Sequence, residues 1–178
     1  DLKSKKWMVV GTPCQIAALR HLLRMTRQEK RFVLIDFWCH GVPSIFLWHR
    51  YIERISKQLR VVPNTLNAVW RDKSKGWHSS YKVVVLDKQH RFEDNSIVPD
   101  KNAFFRHFLR RNCANETCYT CPYEGLCSEA DIRVGDFWGK KYKRNNAGVS
   151  RVIAFTENGK TVLRDLKEAG NANCQQNA

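Results

Sequence analysis

Apolar positions fall into short runs separated by polar and often basic segments, and their spacing changes along the chain. Trp7 to Thr12 (WMVVGT) reads as a short buried strand running into Pro13, a residue suited to the first turn of a helix. Beyond it Ile16, Ala17, Leu19, Leu22 and Leu23 recur at helical spacing on one face. Phe32 to Trp38 (FVLIDFW) is a near-continuous apolar run of strand length, the pattern of a sheet covered on both faces. Ser44, in the loop from Cys39, suits the N-cap of a helix from Ile45 to about Leu59. This β-α-β-α order predicts a parallel unit with a right-handed crossover.

The middle of the chain changes character. Asn67 to Arg71 and Ser80 to Leu86 read as strands, with turns at Lys73–Gly76 and Asp87–His90. A helix is predicted over Asn102–Arg111, then a cysteine-rich loop from Cys113 to Cys127. Strands follow at Asp131–Trp138 and Ser150–Thr156. Glu157–Lys160 reads as a turn into a last helix, Thr161–Ala169, stopped by Gly170. The expected fold class is therefore α/β, a partly parallel sheet from the N-terminal β-α-β-α unit plus additional strands and the cysteine-rich loop. It is expected to form one domain over residues 1–170, with a disordered tail over 171–178.

Composition narrows the class. Among 178 residues, 43% are hydrophobic and 27% charged, which excludes a disordered tail, a collagen-like repeat and a low-complexity linker. No run of about 18 apolar residues could span a membrane, and the opening DLKSKKWMVV lacks the apolar length of a secretion signal. A start almost inside a core strand suggests a piece missing upstream. With 31 Lys and Arg against 17 Asp and Glu, the net charge is +14. The basic residues are spread out, as a solvated surface would have them, or as attraction to an anionic cofactor or substrate, or an acidic partner, would require. No zinc-finger spacing, RNA-binding aromatic signature or basic heptad region is present, which argues against nucleic acid.

Seven cysteines change the picture further. An odd count, no secretion signal and enough chain for a core argue against a disulfide framework and for metal or redox chemistry in a cytoplasmic protein. Cys14 and Cys39 each follow the carboxyl end of a predicted parallel strand, where α/β sheets bind ligands. Cys14 also opens a helix, whose positive end suits an anionic cluster on its thiolate. The plain alternative is that both are buried free cysteines. Cys118-Tyr-Thr-Cys121 adds a C-x-x-C pair, and four thiolates suffice for a [4Fe-4S] cluster or a structural zinc. Cys113, Cys118, Cys121 and Cys127 could equally close a site within the loop, and spacing does not choose between the two sets.

Five blocks carry a resemblance. Gly11-Thr-Pro-Cys-Gln15, Cys39-His-Gly-Val-Pro-Ser44, Arg71-Asp-Lys with Gly76-Trp77, Cys118-Tyr-Thr-Cys121-Pro-Tyr and Asp131-Ile-Arg-Val-Gly-Asp-Phe-Trp-Gly139 resemble, in order, the coenzyme F420 hydrogenase/dehydrogenase beta-subunit family. The resemblance extends to about Phe155. It implies an iron-sulfur flavoprotein that passes electrons between a [4Fe-4S] cluster, FAD and a substrate or F420-like coenzyme. It implies Cys14, Cys39, Cys118 and Cys121 as cluster ligands, with Cys113 and Cys127 spare or ligating a second cluster. It also implies a redox partner protein or ferredoxin-like domain, since members often carry such a domain ahead of the shared region.

A flavin needs aromatic walls and donors to its pyrophosphate and ring. By type, Lys73, Lys75 and Trp77 are candidates, and Asp136, Phe137 and Trp138 follow the ligand loop closely enough to contribute. Core packing is the plain alternative for the tryptophans, and a turn or cap role for Asp136. His40, next to a ligand, could tune the cluster through a hydrogen bond to sulfur. No G-x-G-x-x-G follows the first strand, so a Rossmann dinucleotide site is not supported. The reading is an oxidoreductase electron-transfer domain. Its alternatives are a zinc-stabilised binding module and a basic scaffold for an acidic partner or nucleic acid.

Overall fold

In a computed structural model, described at residues 5–71, 76–77, 81–86, 91–93 and 103–172, the N-terminal elements are β1 (Trp7–Gly11), α1 (Pro13–Met25), β2 (Phe32–Phe37) and α2 (Ile45–Leu59). Then come β3 (Asn67–Arg71), β4 (Tyr81–Leu86), β5 (Arg91–Glu93), α3 (Ala103–Leu109) and α4 (Glu116–Tyr119). β6 (Ile132–Asp136), β7 (Ser150–Ala154) and α5 (Glu157–Glu168) complete the chain. The elements form two compact units, one of Asp1–Cys39, Cys121–Phe137 and Ser150–Ala178, the other of His40–Thr120 and Trp138–Val149.

The first unit is built on a four-stranded sheet of order β1-β2-β6-β7. β1, β2 and β6 are parallel, and β7 runs antiparallel to β6. The apolar stripe of α1 covers one face, where Ile16 and Leu23 meet Leu34 and Ala130, flanked by Val9, Leu19 and Phe32. Thr12 caps α1, its N–H donating to Gln15 Oε1 at 3.0 Å, so the strand turns into the helix within two residues.

The second unit holds an antiparallel sheet of order β3-β4-β5 and an aromatic core in which α2 and α3 meet. Tyr51, Ile55, Phe104 and Phe105 are buried there, and Trp48 packs edge-on against Phe104 with centroids 5.4 Å apart. Ser44 caps α2 as expected, accepting from Phe46 N–H at 3.3 Å.

The α/β class and partly parallel sheet agree with the sequence reading, and four local expectations differ. β1 is exposed rather than buried at Trp7, Met8 and Val10, because it is the edge strand of its sheet and pairs on one side alone. Glu157–Lys160 is the first turn of α5 rather than a separate turn, because Thr156 accepts the Gly159 N–H at 3.1 Å and caps the helix there. The cysteine-rich loop contains the short α4, and β5 was not anticipated. The turns expected at 73–75 and 87–90, and residues 173–178 of the tail, lie outside the described residues.

Candidate functional site

In the first unit, β1 and β2 pair with Gly11 opposite Asp36, so Cys14 and Cys39 each lie three residues past one shared level of the sheet. β2 and β6 pair with Phe37 opposite Val134, which sets Asp136 two residues past that level, as Cys39 is past Phe37. The carboxyl ends of three parallel strands thus carry two thiols and a carboxylate, at the end of the sheet where this class of fold binds ligands. Cys14 Sγ is exposed and lies 3.2 Å from Thr12 Oγ1. It opens onto a cleft of about 410 Å³ between α1 and the loop that precedes β6, with Ala17 and His21 on one side and Tyr123 and Glu129 on the other. Cys39 is partly buried, and Trp38 before it is held on three sides. Its N–H donates to the Val134 carbonyl at 3.3 Å, its ring rests where a side chain at Gly135 would stand, and the Arg151 guanidinium lies 5.1 Å from the ring centroid.

Two buried ion pairs brace the sheet, one near this end and one at the opposite start of β6. Arg133 and Asp36, 1% and 0% exposed, face each other across β6 and β2, with Nε donating to Oδ1 at 2.7 Å and Nη2 to Oδ2 at 2.6 Å. Arg133 also donates to the Gly125 carbonyl at 2.5 Å and the Cys127 carbonyl at 2.9 Å. Arg20 on α1 lies 3.0 Å from Asp131 and donates to the Glu129 carbonyl at 2.9 Å. Asp131 in turn accepts from Leu34 N–H at 2.8 Å and Thr156 Oγ1 at 2.6 Å.

In the second unit, Cys118 sits against the loop that follows Cys39. The Val42 N–H points at Cys118 Sγ at 3.5 Å. Gly41, at φ +91°, leaves room for this approach, since a Cβ there would stand 3.2 Å from Cys118 Cβ. Ser44 N–H to the Cys113 carbonyl (2.6 Å) and Asn115 N–H to the Val42 carbonyl (2.9 Å) zip the two segments together, and Arg111 donates to the Cys118 carbonyl. An N–H directed at a cysteine sulfur is the arrangement that stabilises a thiolate bound to iron.

The same unit holds the two tryptophans. Trp77 is buried, and Trp138 stacks on it with centroids 4.3 Å apart and 30° between the rings, leaving its own surface 49% exposed. Gly148, at φ +86°, leaves the space the Trp77 ring fills, and Trp77 N–H donates to the Asn146 carbonyl at 3.1 Å. Core packing therefore describes Trp77, whereas Trp138 presents an aromatic surface. Lys73 and Lys75 lie outside the described residues.

Of the expected ligands, Cys14, Cys39 and Cys121 belong to the first unit and Cys118 to the second. None of the four is disulfide-bonded and each is partly buried or exposed, and so chemically suited to metal. Among the described residues, no three of His, Cys, Asp and Glu are gathered into a metal cage. Sequence reasoning missed Asp36, Arg133, Arg20 and Asp131. The signal was present: charged residues inside apolar strand runs must find partners when buried.

The family model for the C terminus of the beta subunit of coenzyme F420 hydrogenase/dehydrogenase matches residues 4–178. The chain belongs to this family. No curated protein matches it. The family is one of oxidoreductase subunits, and among the described residues no helix is long and apolar enough to cross a membrane.

Proposed function

From that membership we propose that the chain is a cytoplasmic electron-transfer domain that binds one [4Fe-4S] cluster through Cys14, Cys39, Cys118 and Cys121, and FAD beside it. The register that sets Cys14 and Cys39 past one level of adjacent parallel strands carries this reading. When bound, the cluster exchanges single electrons, while FAD collects two and exchanges them as hydride with a substrate or deazaflavin coenzyme. The chain's own part is to present thiolates, direct the Val42 N–H at Cys118 sulfur and offer an aromatic face. Trp138, backed by Trp77, is assigned to flavin stacking, and Lys73, Lys75 and Asp136 to its polar contacts. A beta subunit works with redox partner subunits, and the net charge of +14 suits an acidic one.

Anaerobic iron, sulfide and flavin analysis tests the reading. Expected are about four irons per chain and a broad absorbance near ~400 nm that dithionite bleaches. Cys14→Ala should lose the iron, and Cys113→Ala should keep it. The reverse result would move the site into the cysteine loop. A colourless protein holding zinc, or holding no metal, would overturn the assignment.

A further inference from the structure

We infer that the buried Asp36–Arg133 pair is a positioning device, one that holds the Cys121–Cys127 loop against the strand end delivering Cys39. The inference rests on the cluster assignment and assigns that site its support. The division of the Arg133 hydrogen bonds carries it. Nε and Nη2 engage the Asp36 carboxylate, at 2.7 and 2.6 Å, and this alone would neutralise the charge. The remaining bonds leave the sheet for the loop, Nη1 to the Gly125 carbonyl at 2.5 Å and Nη2 to the Cys127 carbonyl at 2.9 Å. Ser128 adds a third tie, its hydroxyl donating to Asp36 Oδ2 at 2.8 Å. Three of the four residues 125–128 are thus fastened to one ion pair.

Regular structure does not hold this loop. Residues 122–127 form neither helix nor strand, and Gly125 takes φ +71°. Asp36 lies three residues before Cys39, and Gly125 four after Cys121, so one rigid fork fixes both segments. Phe155, 5.8 Å below the guanidinium, closes the Arg133 side. A planar guanidinium can serve a carboxylate and two carbonyls at once, which a lysine ammonium of similar charge cannot reproduce. A buried pair that only neutralised itself would add little, because apolar residues of similar volume often serve as well. The carbonyls it collects give this one a reason to be charged.

Arg133→Lys in the full chain is the test. Far-UV circular dichroism should stay as in the parent. Amide exchange without metal should speed up at least about tenfold in peptides covering 121–129, with peptides of α1 and α5 unchanged. After anaerobic reconstitution, iron per chain should fall at least about twofold, and the electron paramagnetic resonance signal of the reduced cluster should broaden. Unchanged exchange over 121–129, or equal acceleration everywhere, would overturn the inference. Should the lysine variant not fold, Ser128→Ala removes one tie without stranding a charge; selective acceleration over 121–129 supports the device and none refutes it. A parent chain that takes up no iron defeats the cluster assignment, and the exchange result then decides the positioning role alone.

Discussion

Asp131 is the residue on which most of the first unit converges. Its carboxylate serves the Arg20 guanidinium, the Leu34 N–H and the Thr156 hydroxyl, joining α1, β2 and the cap of α5 at one buried point. Replacing it by Ala leaves Arg20, 7% exposed, without its buried carboxylate, and with the more exposed Glu29 at 3.7 Å as its remaining one. Breaking such a pair costs about 3–5 kcal/mol, so Asp131→Ala should lower the urea midpoint steeply, with iron uptake lost as a consequence of unfolding. Trp138 belongs to the proposed flavin site instead. Half exposed on its buried partner, it contributes little to the core, so Trp138→Ala should leave the urea midpoint nearly unchanged and weaken flavin binding at least about tenfold, while Trp138→Phe retains most of it.

Among the elements, α5 shows how packing overrides propensity. Gly159 would ordinarily weaken a helix by about 1 kcal/mol relative to Ala. Here a methyl would overlap the Asp131 carbonyl and stand 3.1 Å from Ile132 Cγ1, so the helix can lie on β6 only without it. Gly159→Ala should therefore destabilise, by about 1–3 kcal/mol in chemical denaturation, against the propensity scale. At the same end of α5, Lys160 donates to Glu157 at 2.6 Å, and that bond with the ammonium's charge holds the Glu157 carboxyl below its ordinary range. A lowered folded-state value contributes above the ordinary carboxylate range and fades as pH falls through it. The difference in Tm between Glu157→Gln and the parent should accordingly shrink from about pH 7 to about pH 3.

For the whole molecule, charge is the property that acts at distance. A net +14 on 178 residues attracts anions over a screening length that shrinks from about 30 Å at 0.01 M salt to about 8 Å at 0.15 M. Association with an acidic redox partner should slow markedly across that range in stopped-flow measurements, whereas a neutral electron acceptor should react at the same rate. Each unit has a core of its own, one aliphatic under α1 and one aromatic between α2 and α3.

Periodicity and capping alone determined much of this protein. Pro13 and Ser44 announce α1 and α2, and the apolar run of FVLIDFW announces a strand buried on both faces, because these signals act between residues a few positions apart. Family membership was legible for the same reason, in five short blocks of fixed local chemistry. Register was not. Gly11 lies opposite Asp36, and Phe37 opposite Val134, through hydrogen bonds between segments far apart in the chain, and no local pattern specifies that pairing. The buried charges share this origin. Asp36 and Arg133 stand 97 positions apart, and only the folded sheet turns two misplaced-looking charges into one satisfied pair whose spare donors reach the cysteine loop. Three-dimensional packing likewise separated Trp138 from Trp77, since which aromatic ring is covered depends on what the rest of the chain lays over it.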